Sequence, residues 1–282
     1  MTPLLILVFG VKPVTAIGTD LAYAAITKTV GGYKHWRQRT VDMKLSSWMA
    51  IGSVPSAIGG VYVIGILERA YGQDFDELLL TLLGAALLLT GAATLTRALF
   101  FKKLVARERE GFTMTRKHKV VAIVMGAFVG FVLGITSAGS GALIAVGLIL
   151  GFRLIPTRVV GTDVFHAAIL LWAAAAAHVV AGNVNYALAG TLLIGSVPGV
   201  WIGSHLSVRI PTGTLRTVLG VVLVGSGMGL LAKSGVAIPA PVLGGVPVLA
   251  ATLVAVQSIR QRRTRGTKRA IRGEPSVDAP VV

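Results

Sequence analysis

The stretch Gly134-Ile135-Thr136-Ser137-Ala138-Gly139-Ser140-Gly141 interrupts an otherwise apolar run from Val120 to Phe152. The run is longer than the roughly 20 residues that one helix needs to cross a bilayer, but too short for two crossings with a turn. Freed backbone groups are tolerated at membrane depth only where they line a polar cavity, and the N–H groups of a broken helix suit an anion. The stretch therefore predicts a broken helix with a binding loop. Close helix packing by small residues is the alternative.

The composition predicts a polytopic membrane protein. Of the 282 residues, 54% are apolar and 13% are charged, whereas soluble domains have about 25% charged residues. The sequence has no cysteine, which excludes disulfides, thiolate metal sites and cysteine catalysis. We expect no metal and no cofactor.

The formal charge of +16 does not predict nucleic-acid binding. The basic residues lie between apolar spans and in the tail from Arg260 to Arg272, a pattern that records orientation in a membrane. We therefore expect the lipid bilayer and a small anionic substrate as partners, and no nucleic acid.

Seven further apolar segments are predicted to be spans, and the last of them, with three prolines, is the weakest: Pro13 to Tyr33, Leu45 to Leu67, Leu78 to Phe101, Pro156 to Ala181, Tyr186 to Val208, Leu215 to Leu231 and Ile238 to Val256. The chain then divides into a first transmembrane repeat (1–101), a basic cytoplasmic loop (102–119), a second repeat (120–232), and an extra apolar segment with a basic tail (233–282).

The two repeats are visible as recurring motifs. Gly18-Thr19-Asp20 recurs as Gly161-Thr162-Asp163, and Gly52-Ser53-Val54-Pro55 recurs as Gly195-Ser196-Val197-Pro198, both 143 residues later. One ungapped register aligns them, so the chain is a duplication. The first repeat lacks a copy of the glycine-rich break. We expect that the start has been placed too late; the alternative is a protein that makes do with one loop.

Loop charges predict how the repeats are oriented. If the run from Val120 to Phe152 returns to the side from which it entered, nearly all basic loops and the tail face one side, and the acidic loop from Glu68 to Glu77 faces the other. A single crossing would divide the basic loops between both sides. We therefore predict an all-α membrane protein of two inverted repeats with a re-entrant broken helix, its basic side cytoplasmic.

The motifs and their order resemble the TauE/SafE sulfite exporter family, also called the toluene sulfonate uptake permease family. In the second repeat the resemblance rests on Gly161-Thr162-Asp163, His166, His178, Gly182-Asn183-Val184 and Gly195-Ser196-Val197-Pro198-Gly199; in the first it rests on Gly18-Thr19-Asp20, His35-Trp36-Arg37, Val41-Asp42 and Gly52-Ser53-Val54-Pro55. The resemblance implies a permease of the inner bacterial membrane that moves sulfur-containing or organic anions such as sulfite or sulfonates.

Two sets of residues are predicted to form the site. Substrate binding is assigned to the break and to hydroxyls beside glycine or proline: Ser137, Gly139, Ser140, Gly141, Thr162, Thr19, Ser196 and Ser53. Proton coupling is assigned to intramembrane ionisable residues: Asp163, His166 and Asp20. The alternatives are that the hydroxyls bond to their own helices and that the ionisable groups cap or pair near an interface.

We predict a secondary transporter and not an enzyme; no G-x-x-x-x-G-K-[ST] nucleotide-binding loop occurs, so nucleotide hydrolysis would need another chain. One alternative is an intramembrane hydrolase that uses Ser140 and His166. Another is a non-transporting scaffold or a truncated product. The sequence leaves open the anion, the direction of transport, the coupling ion and the oligomeric state.

Overall fold

A computed structural model describes residues 1–100, 114–137, 140–209 and 212–237, together with a few single positions further on. These residues are helical almost throughout. Nine α-helices are formed in this part of the chain: α1 (Thr2–Leu7), α2 (Pro13–Arg37), α3 (Met43–Tyr71), α4 (Phe75–Phe100), α5 (Arg116–Thr136), α6 (Ser140–Phe152), α7 (Pro156–Val180), α8 (Tyr186–Arg209) and α9 (Thr212–Lys233).

Matching sequences in the two halves form matching helices. The helices α2 and α7 both begin at a proline and are both 25 residues long, because proline is favourable in the first turn of a helix. The turn after α2 has positive φ at Arg39, and the turn after α7 has positive φ at Gly182. The next helices are capped in the same way, with Asp42 Oδ1 accepting from the Leu45 N–H and Asn185 Oδ1 accepting from the Leu188 N–H.

The helices α2 and α7 pack along each other in opposite directions. Near the start of α2, Gly18 lies against the Asn183 carbonyl that follows α7, and near the start of α7, Gly161 lies against the Thr40 carbonyl that follows α2. Between these ends, Trp172 Nε1 donates to Thr29 Oγ1 at 2.8 Å. The pairing shows that the two helices run antiparallel.

The helix α5 packs parallel to α3 through a seam of glycines. A Cβ on Gly126, Gly130 or Gly134 would collide with the backbone carbonyls of Met49, Ser53 and Ala57 respectively. Each step of four residues along α5 corresponds to four residues along α3, which is why the direction is parallel. Small residues let the two backbones approach closely, as in other membrane helix pairs.

The helices α4 and α9 form another close pair, in which the two helices run antiparallel. Gly84 on α4 meets Gly227 on α9, and Gly91 meets Gly220. At the end of this pair, Thr81 Oγ1 donates to Ser234 Oγ at 3.0 Å, so α9 ends beside the first turns of α4.

The broken run turns back on itself. The helix α5 ends at Thr136, with Ser137 in the left-handed conformation (φ 53°). The helix α6 starts at Ser140, and its Gly151 lies against Val121 on α5. The His118 and Phe152 rings, near the far ends of α5 and α6, are 5.8 Å apart. The helix α6 therefore runs antiparallel to α5 and ends beside the first turn of α5.

Four of the helices in the described ranges are long and apolar enough to cross a membrane: Met43–Tyr71, Phe75–Thr96, Arg116–Thr136 and Thr157–Val180. Every predicted span from Pro13 to Leu231 overlaps one helix. The predicted span from Ile238 to Val256 and the greater part of the basic loop lie outside the described residues, apart from single positions. The described residues thus form an all-helical fold with four candidate membrane spans.

Candidate functional site

The break between α5 and α6 places Ser137 against the first half of the chain. Its N–H donates to Leu133 O at 2.8 Å and ends α5, while its hydroxyl donates to Asp20 Oδ2 on α2 at 3.1 Å. The same hydroxyl oxygen lies within hydrogen-bond distance of Thr2 Oγ1. Ser137, predicted from the second repeat, and Asp20, predicted from the first, therefore meet.

The Asp20 carboxylate is surrounded by hydrogen-bond donors. Besides Ser137, its Oδ2 accepts from the Thr2 N–H at 2.9 Å, from the Thr2 hydroxyl at 2.7 Å and from the Met1 amino group at 3.1 Å. Asp20 is only 8% exposed. Asp20 Oδ2 is therefore the common acceptor that joins the start of α1 to the end of α5.

The equivalent aspartate of the second half, Asp163, faces the start of α6. A Cβ placed on Gly141 would lie 3.5 Å from Asp163 Oδ2. Ser140 is the first residue of α6, but its side chain lies outside the described part, as does all of Gly139. Each repeat therefore places its Gly-Thr-Asp aspartate beside the first residues of a shorter helix, α1 for Asp20 and α6 for Asp163.

The threonines of the same motifs connect the two halves. Thr162 Oγ1 accepts from the Asp42 N–H at 2.9 Å, and Thr19 Oγ1 accepts from the Asn185 N–H at 3.0 Å. Both threonines are fully buried. The hydroxyls thus satisfy the backbone at the starts of α3 and α8, a role that the sequence did not predict.

The two motif serines differ in their partners. Ser53 Oγ lies 3.1 Å from His166 Nε2, and both residues are fully buried. Ser196, the equivalent of Ser53, donates to Leu193 O of its own helix at 2.9 Å. The hydrolase alternative requires His166 to act on Ser140, whereas the described bond of His166 Nε2 is to Ser53.

Thr2 joins the candidate site, although no pattern in the sequence predicts it. Its hydroxyl and N–H both contact Asp20. The register of the repeats aligns Thr2 with Ala145, which is apolar, so no recurring motif pointed to it. His178 carries part of the family resemblance but is not among the predicted site residues. Its Nε2 lies 3.1 Å from Gly134 O in the last turn of α5.

Among the described residues, no group of three or more His, Cys, Asp or Glu side chains is placed so that it could hold a metal ion.

Comparison with known proteins identifies the family. The family model "Sulfite exporter TauE/SafE" matches residues 1–230. The chain is 40% identical to the "Probable membrane transporter protein YjnA" of Bacillus subtilis (strain 168) over 233 residues, which is 82% of this chain and 90% of that protein.

Two more distant relatives come from the same organism. "Probable membrane transporter protein YdhB" is 28% identical over 77% of this chain and 84% of its own length. "Probable membrane transporter protein YunE" is 27% identical over 76% of this chain and 79% of its own length. No solved structure matches significantly. The chain belongs to the sulfite exporter TauE/SafE family and is a membrane transporter.

Proposed function

We propose that the chain is a secondary transporter that moves small sulfur-containing or organic anions, such as sulfite or sulfonates, across the inner bacterial membrane. Its basic loops and C-terminal tail lie in the cytoplasm, following the charge distribution of the sequence. The observation that carries the proposal is the buried carboxyl group at the helix break, where Asp20 Oδ2 accepts hydrogen bonds from Ser137 and Thr2.

The architecture that we propose is a pair of inverted repeats. Support comes from two reciprocal contacts: Thr162 accepts from the Asp42 N–H, and Thr19 accepts from the Asn185 N–H. Thr19 is the repeat equivalent of Thr162, and Asn185 is the repeat equivalent of Asp42. The equivalent helices α2 and α7 run in opposite directions, as an axis within the membrane plane requires. Equivalent residues Thr29 and Trp172 meet each other, as residues close to such an axis would.

We further propose that α5 and α6 form a re-entrant hairpin that enters and leaves on the cytoplasmic side. The antiparallel return of α6 along α5 supports this, since His118 and Phe152 come together at the open end. The turn of the hairpin, with Ser137 and Gly141, then lies inside the protein and meets Asp20 and Asp163.

The proposed site binds its anion in place of the aspartate carboxylate. When Asp20 is ionised, it occupies the Ser137 and Thr2 donors and repels a second anion. When it is protonated, the repulsion is removed and the hydroxyls and N–H groups are available to substrate oxygens. Uptake of the anion is thereby coupled to uptake of a proton. Asp163 has the corresponding role beside Gly141 at the start of α6, and Gly139 and Ser140 stay candidates for substrate contact there.

The remaining predicted residues have supporting roles in this proposal. Thr19 and Thr162 hold the starts of α8 and α3 in place. Ser53 and His166 join α3 to α7, and a proton on His166 would alter that contact. Ser196 remains a substrate-contact candidate that bonds to its own helix in this conformation.

The test is anion uptake into proteoliposomes with and without an inward proton gradient, using labelled sulfite and two organosulfonates. We expect Ser137→Ala to lower uptake at least tenfold, since removing a donor to a charged group costs about 1.5–3 kcal/mol. Ser47→Ala is the matched control, because Ser47 is exposed and bonds only to Met43 O of its own helix. Equal uptake by the two variants would contradict the proposed site.

A further inference from the structure

One face of α8 lacks the cover that the equivalent face of α3 has. On α3, Met49, Gly52 and Ser53 are buried against α5, and a Cβ on Gly52 would collide with Ile123 O. Their equivalents on α8 are Leu192 and Ser196, which are half-buried, and Gly195, which is exposed. A Cβ on Gly195 or Gly199 would meet nothing within 4 Å among the described residues.

The contacts of α5 show what kind of element would cover α8. On the inverted arrangement proposed above, it is a helix parallel to α8, as α5 is parallel to α3. The helix α5 also touches α4, and α9 is the repeat equivalent of α4, so the covering helix would lie beside α9. A segment that directly follows α9 meets this condition.

We propose that the apolar segment from Ile238 to Val256 is this helix. The helix α9 ends beside the first turns of α4, and α4 begins after a short turn from the end of α3. The helices α3 and α7 run in the same direction, because Thr162 meets Asp42 near their starts and His166 meets Ser53 further along both helices. The end of α9 is therefore on the side where α8 begins, and a segment that leaves it and crosses the membrane runs parallel to α8.

Length and charge agree with that path. Residues 238–256 make up 19 positions, close to the roughly 20 that one crossing needs. The four residues from Ser234 to Ala237 can bridge about 13 Å, which suffices between neighbouring helices. The basic tail from Arg260 then emerges on the side of the other basic loops.

The exposed positions indicate which face of the segment would meet α8. Pro241 and Thr252 are exposed and Val248 is 61% exposed; these positions are seven and four residues apart and would share one side of a helix. The opposite side of such a helix would carry Leu243, Ala250 and Val254. Apolar side chains there would fill the space over Gly195 and Gly199, which have no side chains of their own.

Because the chain has no cysteine, pairs of introduced cysteines can test the contact in native membranes. We would combine Gly195→Cys with each of Leu243→Cys, Ala250→Cys and Val254→Cys, and place a protease site after Gly235. After oxidation and cleavage, a disulfide keeps the two fragments together. The matched controls pair Gly195→Cys with Val248→Cys or Thr252→Cys on the opposite side of the segment. Thr81→Cys with Ser234→Cys, two positions whose hydroxyl oxygens lie 3.0 Å apart, is the positive control, read with a protease site between residues 102 and 113.

We expect one of the first three pairs to be cross-linked at least about fivefold more than either control on the opposite side, the contrast that a helix face imposes. Uniformly low cross-linking, or disulfides only between two copies of the chain, would overturn the proposal if the positive control forms. The pair Thr29→Cys and Trp172→Cys tests the inverted arrangement itself, so failure of that arrangement would be visible separately.

Discussion

Removal of the Thr162 hydroxyl should destabilise the protein without changing how it recognises its substrate. Thr162→Val keeps the shape of the side chain but removes the acceptor of the Asp42 N–H, at a site that is fully buried. A buried donor left without a partner costs about 1–3 kcal/mol. We expect the upper part of that range because Asp42 is itself only half-exposed.

The equivalent change in the other repeat should be milder. Thr19→Val removes the acceptor of the Asn185 N–H, but Asn185 is exposed, so water can replace part of the lost bond and the cost should be about 1 kcal/mol. Thr191→Val is the matched control: Thr191 is exposed on α8 and bonds to Ala187 O of its own helix. Its cost should be under about 0.5 kcal/mol.

The assay is equilibrium unfolding in mixed micelles, followed by tryptophan fluorescence, with uptake measured on the same preparations. We expect the destabilisation to decrease in the order Thr162, Thr19, Thr191, with the substrate KM unchanged in the variants that remain folded. If the Thr162 and Thr19 variants unfolded like the control but raised KM severalfold, the threonines would contact the substrate, and the reasoning from their backbone partners would be refuted.

Further tests address packing, proton coupling and the Ser53–His166 contact. Gly126→Ala should lower the free energy of unfolding by about 1–3 kcal/mol in the same assay, because the new Cβ would collide with Met49 O. Gly59→Ala, in open space on α3, should raise it by up to about 1 kcal/mol. Similar values for both variants would argue against the glycine seam. Asp20→Asn should abolish the stimulation of uptake by an inward proton gradient, and uptake by this variant that still responds to the gradient would exclude Asp20 as the coupling group. Ser53→Ala should lower the free energy of unfolding by about 1–3 kcal/mol, because it leaves His166 without its hydroxyl partner. Ser196→Ala should change that free energy by less than about 0.5 kcal/mol. Equal losses would show that the two serines are equivalent.

The helices could be predicted from the sequence because local residues determine where they begin and end. The prolines at 13 and 156 start α2 and α7, and Asp42 and Asn185 cap the next helix in each half. These signals act within a few residues of the helix end. The same starting and capping positions recur in both repeats, so matching helices could be predicted without knowing how the helices pack.

The partners of the site residues could not be predicted in the same way. Thr19 and Thr162 were expected to face a substrate cavity, but their hydroxyls bond to backbone N–H groups in the opposite half. Thr2 was missed although it contacts Asp20 through two donors. Such contacts depend on how distant helices are placed, and a motif carries no record of that placement.

The two copies of the Gly-Ser-Val-Pro motif show the limit of motif reasoning most directly. Gly52 and Gly195 begin identical tetrapeptides, yet Gly52 is buried against α5 and Gly195 is exposed. Ser53 has a buried histidine as its partner because the second repeat has His166 at the position where the first has Tyr23. Duplication therefore gives the two halves the same helices but different contacts. Substitutions at equivalent positions should consequently have unequal effects, and the size of each effect should follow the neighbours of the residue and not its motif.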